Sequence, residues 1–355
     1  MSSAVDIPEV FFDRYFTGNP SPVARTKYSG RADVLNLGDD LYNRAIERAR
    51  DDINAVFKAN VLSLVAPHGE AKVHLDYVQS AELNAFAFLS DGWAFIAITT
   101  GLLARLTEIS IQLWRLNLLE NLLGIAMDAE SRNNLAAAFV IIQIQILSSH
   151  ELGHFQHGHC ASNFGRFVIA EFATASAIGT PPLRSDDFRT QAMEVDADGY
   201  AAHMLAENFF EGGIGLNLHQ RLNSALPVDE FTLNFFLCSL GALFYLWGNR
   251  TFAVDKARTY DHPPALMRLN VFMRDLRGWF SEHRPLLETE TSVDRFQVIM
   301  ASVSQAAEGT IDAEPWRLQG EFLLSQEGRK YIDDLYAKRE ELRREMEPYR
   351  WRKRA

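Results

Sequence analysis

Cysteine is nearly absent. Only Cys160 and Cys238 occur in 355 residues, too few for a disulfide framework and suited to a reducing cytosol. Positive charge is also short, with 35 Lys and Arg against 46 Asp and Glu and a net charge of −11. That balance argues against a protein whose main task is to coat nucleic acid or an anionic membrane. The opening MSSAVDIPEVFFDRYF has no basic segment followed by an apolar one, so no secretory signal is expected and a cytoplasmic location is. Long apolar runs are scarce. The best, Phe231–Gly248, is about the minimum spanning length but carries Thr232, Asn234, Ser239 and Gly241, and mean hydropathy over the chain is −0.12. It reads as a buried core helix, with membrane insertion, and hence an inner-membrane association, as the rival reading. Leu135–Leu147, broken by Gln143 and Gln145, reads as a second buried helix.

What is present is ordinary globular composition, 47% apolar and 23% charged, enough to bury a sizeable core and to exclude disordered, collagen-like and coiled-coil classes. Residues 1–37 read as irregular, with Pro8, Gly18, Pro20, Pro22 and Gly30 as breakers. Leu41, Ala45, Ala49, Ile53 and Phe57 recur at helical spacing after Asp39-Asp40. Residues 73–78 look strand-like, and the apolar runs 83–88 and 94–100, joined by Ser90-Asp91-Gly92, predict a β-hairpin. From Gly101 to about residue 280 the pattern is helical, and Tyr331, Leu335, Leu342 and Met346 mark a final amphipathic helix. The expected fold is α+β and mostly helical, a domain over 38–280 with a small sheet beside its central helix, followed by a helical extension over 281–355. The basic tail, Arg350 to Arg354, is expected to serve solubility or a helix dipole.

The chemistry concentrates in His150-Glu151-Leu152-Gly153-His154. Two histidines four apart on a helix face one way, because four residues rotate by about 400°. Their imidazoles can share one metal ion, and the intervening Glu151 can reach a metal-bound water; zinc suits such a set. A catalytic zinc wants a third protein ligand. The metzincin pattern fails, since His157 and Cys160 stand where it needs glycine and histidine. Glu171 is one candidate. Glu194 is the better one, because Asp198 lies one helical turn on, and one of the pair can bind metal while the other holds a ligand imidazole by its second nitrogen. His157 and His159 add nothing to the set, and on a continuing helix His159 lies about 180° round from His150.

Several separated segments together resemble the gluzincin metallopeptidases of the HtpX and CAAX-prenyl-protease superfamily. These are Asn84-Ala85-Phe86-Ala87 with Ile98–Leu103, His150–His154, Glu194–Asp198, and His262-Pro263-Pro264 with Arg268. The resemblance implies a zincin-like fold and a zinc endopeptidase acting on proteins or peptides, with one zinc held by His150, His154 and Glu194. It implies Glu151 as general base, His262 as a donor to the oxyanion, Asp198 and Arg268 as supports of the ligands, and Asn84–Ala87 as an edge strand that aligns substrate. A looser resemblance, through HExxH and a downstream acid alone, is to the phage-exclusion peptidase Lit. Two rivals are a deformylase, disfavoured because its cysteine ligand lies upstream of the motif, and a catalytically inactive interaction protein that keeps the fold, disfavoured by the intact Glu151.

Overall fold

Asp91-Gly92 folds the strands on either side of it into a hairpin. Both residues have positive φ, 51° and 80°, and Ser90 pairs with Trp93, the geometry of a two-residue turn that suits the right-handed twist of its strands. The hairpin belongs to a computed structural model that describes residues 8–18, 27–33, 35–67, 69–114, 118–126, 128–162, 169–170, 187–248, 252–260, 262–287, 298–301, 303 and 314–353. The fold is α+β and mostly helical, in two units: Met1–Arg105 with Glu151–Ser185 and Arg343–Ala355, and Leu106–His150 with Asp186–Leu342.

In the first unit, β3 (Val73–Val78), β4 (Ala85–Ser90), β5 (Trp93–Thr99) and the two-residue β6 (Ile169–Ala170) form a sheet in the order β3-β5-β4-β6. β3 runs parallel to β5, and β4 is antiparallel to both its neighbours. Side chains alternate across the strands, so Phe86, Phe88 and Phe95 share one face. That face is covered by Phe12 and Phe16 of α1 (Pro8–Thr17), with Tyr15 stacked on Phe88 at 3.9 Å. Fully burying each such ring contributes roughly 2 kcal/mol. The breakers in residues 1–37 therefore mislead over this stretch. Phe11, Phe12, Tyr15 and Phe16 have helical spacing, and a proline at the start of a helix gives up only an N–H that lacks a partner anyway.

α2 (Asp40–Val61) is capped by Asp39, whose carboxylate accepts from the Leu41 N–H at 2.7 Å. Its buried stripe is Tyr42, Ile46, Ala49, Ile53 and Phe57, so at its start the inward face lies one residue later than Leu41 and Ala45. A smaller antiparallel sheet joins β1 (Leu64–Ala66), β2 (Gly69–Glu70) and β7 (Arg352–Lys353). Arg352 and Lys353 of the basic tail thus form a strand and remain exposed to solvent, and beside them the Trp351 N–H donates to Gln156 O at 3.1 Å while its ring stacks on Phe155.

In the second unit the elements are helices: most of α3 (Thr100–Trp114), α4 (Leu118–Leu123), the greater part of α5 (Ala129–Gln156), α7 (Asp187–Ala206), α8 (Ile214–Arg221), α9 (Val228–Trp247), α10 (Ala265–His283), α11 (Glu314–Leu324) and most of α12 (Gln326–Met346). The short α6 (His159–Ser162) belongs to the first unit. α9 is buried at every residue from Phe231 to Trp247, and Phe235 stacks on Phe139 of α5 at 4.7 Å. Residues Glu130–Gln156 and Val228–Trp247 are long and apolar enough to cross a membrane, and 89% and 94% of their apolar windows are buried within the protein.

One buried charge organises the first unit. Asp76 on β3 accepts from Arg31, from Arg50 of α2 at 3.2 Å and from the Tyr77 N–H at 2.9 Å, with His74 at 3.5 Å. Burial alone would raise its carboxyl pKa, but the His74 and Tyr77 hydrogen bonds and both arginines outweigh that and hold it below the usual value of 3.8. A lowered pKa stabilises the fold fully above the unfolded value and loses that contribution as pH falls through the folded one. Asp76→Asn should cost about 3 kcal/mol at pH 7, because it breaks a buried pair. Urea melts as a function of pH should show the gap from wild type closing only below about pH 4.

Candidate metal centre

α5 runs from Ala129 to Gln156 because 135–147 is apolar apart from Gln143 and Gln145 and holds no glycine or proline, and it carries the HExxH residues in its last two turns. The helix stops at Gly158, whose φ of +81° suits glycine. A Cβ there would also lie 2.7 Å from Tyr349. The reversal starts α6 and returns His159 toward the helix, where its Nδ1 lies 2.9 Å from Nδ1 of His154. This corrects the expectation of a continuing helix that carries His159 to the far side. One of the two Nδ1 atoms must donate. With His154 as the donor, its Nε2 is the nitrogen that can ligate.

α7 carries Glu194 and Asp198 one turn apart. Nε2 of His150 lies 3.4 Å from Oε2 of Glu194, and Nδ1 of the same ring lies 2.8 Å from Oδ1 of Asp198. His150 and Glu194 are both buried, and His154, also buried, lies one turn beyond His150 on α5. Glu151 is fully buried on the same helix.

α10 starts directly after His262-Pro263-Pro264, and its first turn receives Arg268, whose N–H donates to Pro264 O at 3.0 Å. The Arg268 guanidinium grips Asp198 with two hydrogen bonds, Nε to Oδ2 at 2.9 Å and an Nη to Oδ1 at 2.8 Å, and its other Nη lies 3.6 Å from Glu194. Beneath it lies Trp247 at the end of α9, 4.4 Å from the guanidinium carbon. Burial alone would raise the Asp198 carboxyl, but Arg268 and then His150 outweigh it and hold it below the ordinary carboxylate range. Asp198 is therefore an anion, and its acceptor fixes the proton of His150 on Nδ1, which turns Nε2 toward Glu194.

The donor set fits zinc. Two ligands about 2.0–2.1 Å from a tetrahedral ion stand roughly 3.3 Å apart, close to the His150–Glu194 separation of 3.4 Å, whereas a direct charge-assisted hydrogen bond would be shorter. His262 is mostly buried with Nε2 3.6 Å from Oε2 of Glu194, so it too faces this group.

Asn84–Ala87 belong to the sheet of the first unit. They are buried, Asn84 donates to the Tyr28 hydroxyl at 3.3 Å, and Phe86 and Ala87 pair with Ala170 and Ile169 of β6. That edge of β4 is therefore occupied at two residues. Glu171 lies outside the described residues. Sequence reasoning missed His159, hidden by the helix end at Gly158, and Trp247, which lies in a run notable only for its hydrophobicity.

Asp198→Asn should weaken metal binding 10–100-fold without emptying the site, because it removes the charge behind His150 while keeping an acceptor oxygen. Competition with a chromogenic chelator measures this directly.

Neither the curated proteins nor the solved structures contain a significant match to the chain. Among family models, that of peptidase family M48, whose members are generally zinc-dependent metallopeptidases, matches residues 48–272. That span includes the hairpin, the HExxH helix, Glu194, Asp198, His262 and Arg268. With more than half of its length so matched, the chain belongs to peptidase family M48.

Proposed function

We propose that the chain is a zinc-dependent endopeptidase with His150, His154 and Glu194 as the zinc ligands. The observation that carries this reading is the His150–Glu194 pair, at the separation of a coordination edge and backed by Asp198 and Arg268. Zinc bound there would lower the pKa of a water toward neutrality and polarise the substrate carbonyl. Glu151 takes the proton of the attacking water on its carboxylate and passes it to the leaving amine. His262 donates a hydrogen bond to the oxyanion that develops on the substrate. Arg268 and Asp198 take no part in proton transfer; they hold the His150 ring in one tautomer. A peptide backbone aligns along β4 at Asn84–Ala87, where it has to take the place of β6.

The substrate is a protein or peptide rather than a nucleic acid, given the net charge of −11. The depth at which Val228–Trp247 is buried supports a cytoplasmic location over anchoring through residues 231–248.

Glu151→Gln should retain one zinc per chain and lose at least about 100-fold in turnover of labelled casein, since it removes the base and leaves the ligands. Glu194→Gln should nearly abolish zinc binding, and Glu171→Gln should leave it unchanged. Zinc content by mass spectrometry of the native protein separates these outcomes, and loss of metal in Glu171→Gln with retention in Glu194→Gln would reverse the ligand assignment.

A further inference from the structure

α7 is buried at every position from Gln191 to Gly199, so its metal-facing side is only part of what the helix presents. Asp196 lies about 200° round from Glu194 on the helical wheel. Its carboxylate accepts from Nε of Arg339 on α12 at 3.1 Å, and the same guanidinium donates to Asp275 of α10 at 2.7 Å. Arg339 is only 4% exposed. Gly199 supplies the room: a Cβ there would collide with the Arg339 guanidinium and with the Asp275 carboxylate.

A second contact lies eight residues earlier on α12, about 12 Å along its axis. The Tyr331 hydroxyl donates to Oε1 of Gln191 at 2.6 Å, and Nε2 of Gln191 donates to Ala257 O at 2.9 Å and Tyr260 O at 2.7 Å. Nε2 of Gln191 thus holds residues 257–260 against α7 while Oε1 is held by Tyr331, and His262 follows two residues later. α12 lies wholly beyond residues 48–272, the part of the chain that the family model matches.

A buried ion pair gives little net stability over an apolar replacement, and in some proteins its role is to select one arrangement of the elements it joins. A zinc ligand needs such selection, since its carboxylate must be held to about 0.5 Å. We propose that α12 is a positioning element of the metal site, in which Arg339, through Asp196, fixes the rotation of the helix that carries Glu194, and Tyr331, through Gln191, fixes the segment that carries His262. This rests on the zinc-peptidase reading above. Neither residue touches metal or substrate; each acts through another side chain.

The test uses the full-length chain loaded with Co²⁺, whose visible absorption reports the coordination geometry. Arg339→Lys keeps the charge and loses the two-pronged bridge, and Asp196→Asn keeps the shape and loses the charge. Each should lower Co²⁺ affinity about tenfold and alter the visible spectrum while far-ultraviolet circular dichroism stays as in wild type. Tyr331→Phe should leave Co²⁺ affinity and spectrum unchanged and lower kcat on labelled casein about tenfold at unchanged KM. Wild-type affinity and spectrum in both Arg339→Lys and Asp196→Asn would overturn the proposal, as would wild-type kcat in Tyr331→Phe. So would an affinity loss that tracks lost helix content in both charge variants, which is what a merely structural role produces. A wild-type chain that binds no Co²⁺ overturns the peptidase reading and this proposal with it, whereas a wild type that binds and cleaves beside unaffected variants overturns this proposal alone.

Discussion

The two-pronged hydrogen bond between Arg268 and Asp198 is the constraint on which the metal centre depends. Without it, Asp198 would keep only His150 to offset its burial, which penalises the charged form heavily. With it, Asp198 stays an anion, holds Nδ1 of His150 and directs Nε2 toward Glu194. Arg268 in turn has its place because two prolines start α10 one turn before it and because Trp247 offers a flat, electron-rich surface beneath it. Thus α5, α7, α9 and α10 each supply one part of a single arrangement, and none of these parts has a use alone.

The parts that could be read from the sequence share a property: their geometry is local. His150 and His154 face one way because of helical pitch, and so do Glu194 and Asp198. Asp91-Gly92 announces its turn because few other pairs accept positive φ twice in succession. The apolar run over 231–248 announces a buried helix by length and composition. Each of these signals lies within about twenty residues of chain.

What could not be read is set by contacts distant in sequence or by a helix end. α1 was obscured by the prolines around it, although its aromatic spacing was helical; only the phenylalanine-rich face of β4 and β5 gives those aromatics somewhere to go. His159 reaches His154 because glycine ends the helix at residue 158, and a continuing helix would have carried it away. Arg352 and Lys353 look like a charged tail until β1, almost three hundred residues earlier, is placed beside them. Asp196 sits between two residues of the acidic motif and looks like part of it, yet it serves Arg339 on the other side of the helix.

The charges around the centre carry a consequence for selectivity. In the form that ligation demands, Glu151, Glu194 and Asp198 are anions and Arg268 is a cation, so these four buried groups sum to −2. A doubly charged ion brings that sum to zero. A singly charged ion leaves an uncompensated charge in a dry interior, and a triply charged one creates an excess of the opposite sign, each at an electrostatic cost that grows as water is excluded. With the proposed ligand set, discrimination by valence would come before ligand type and geometry choose among the divalent metals.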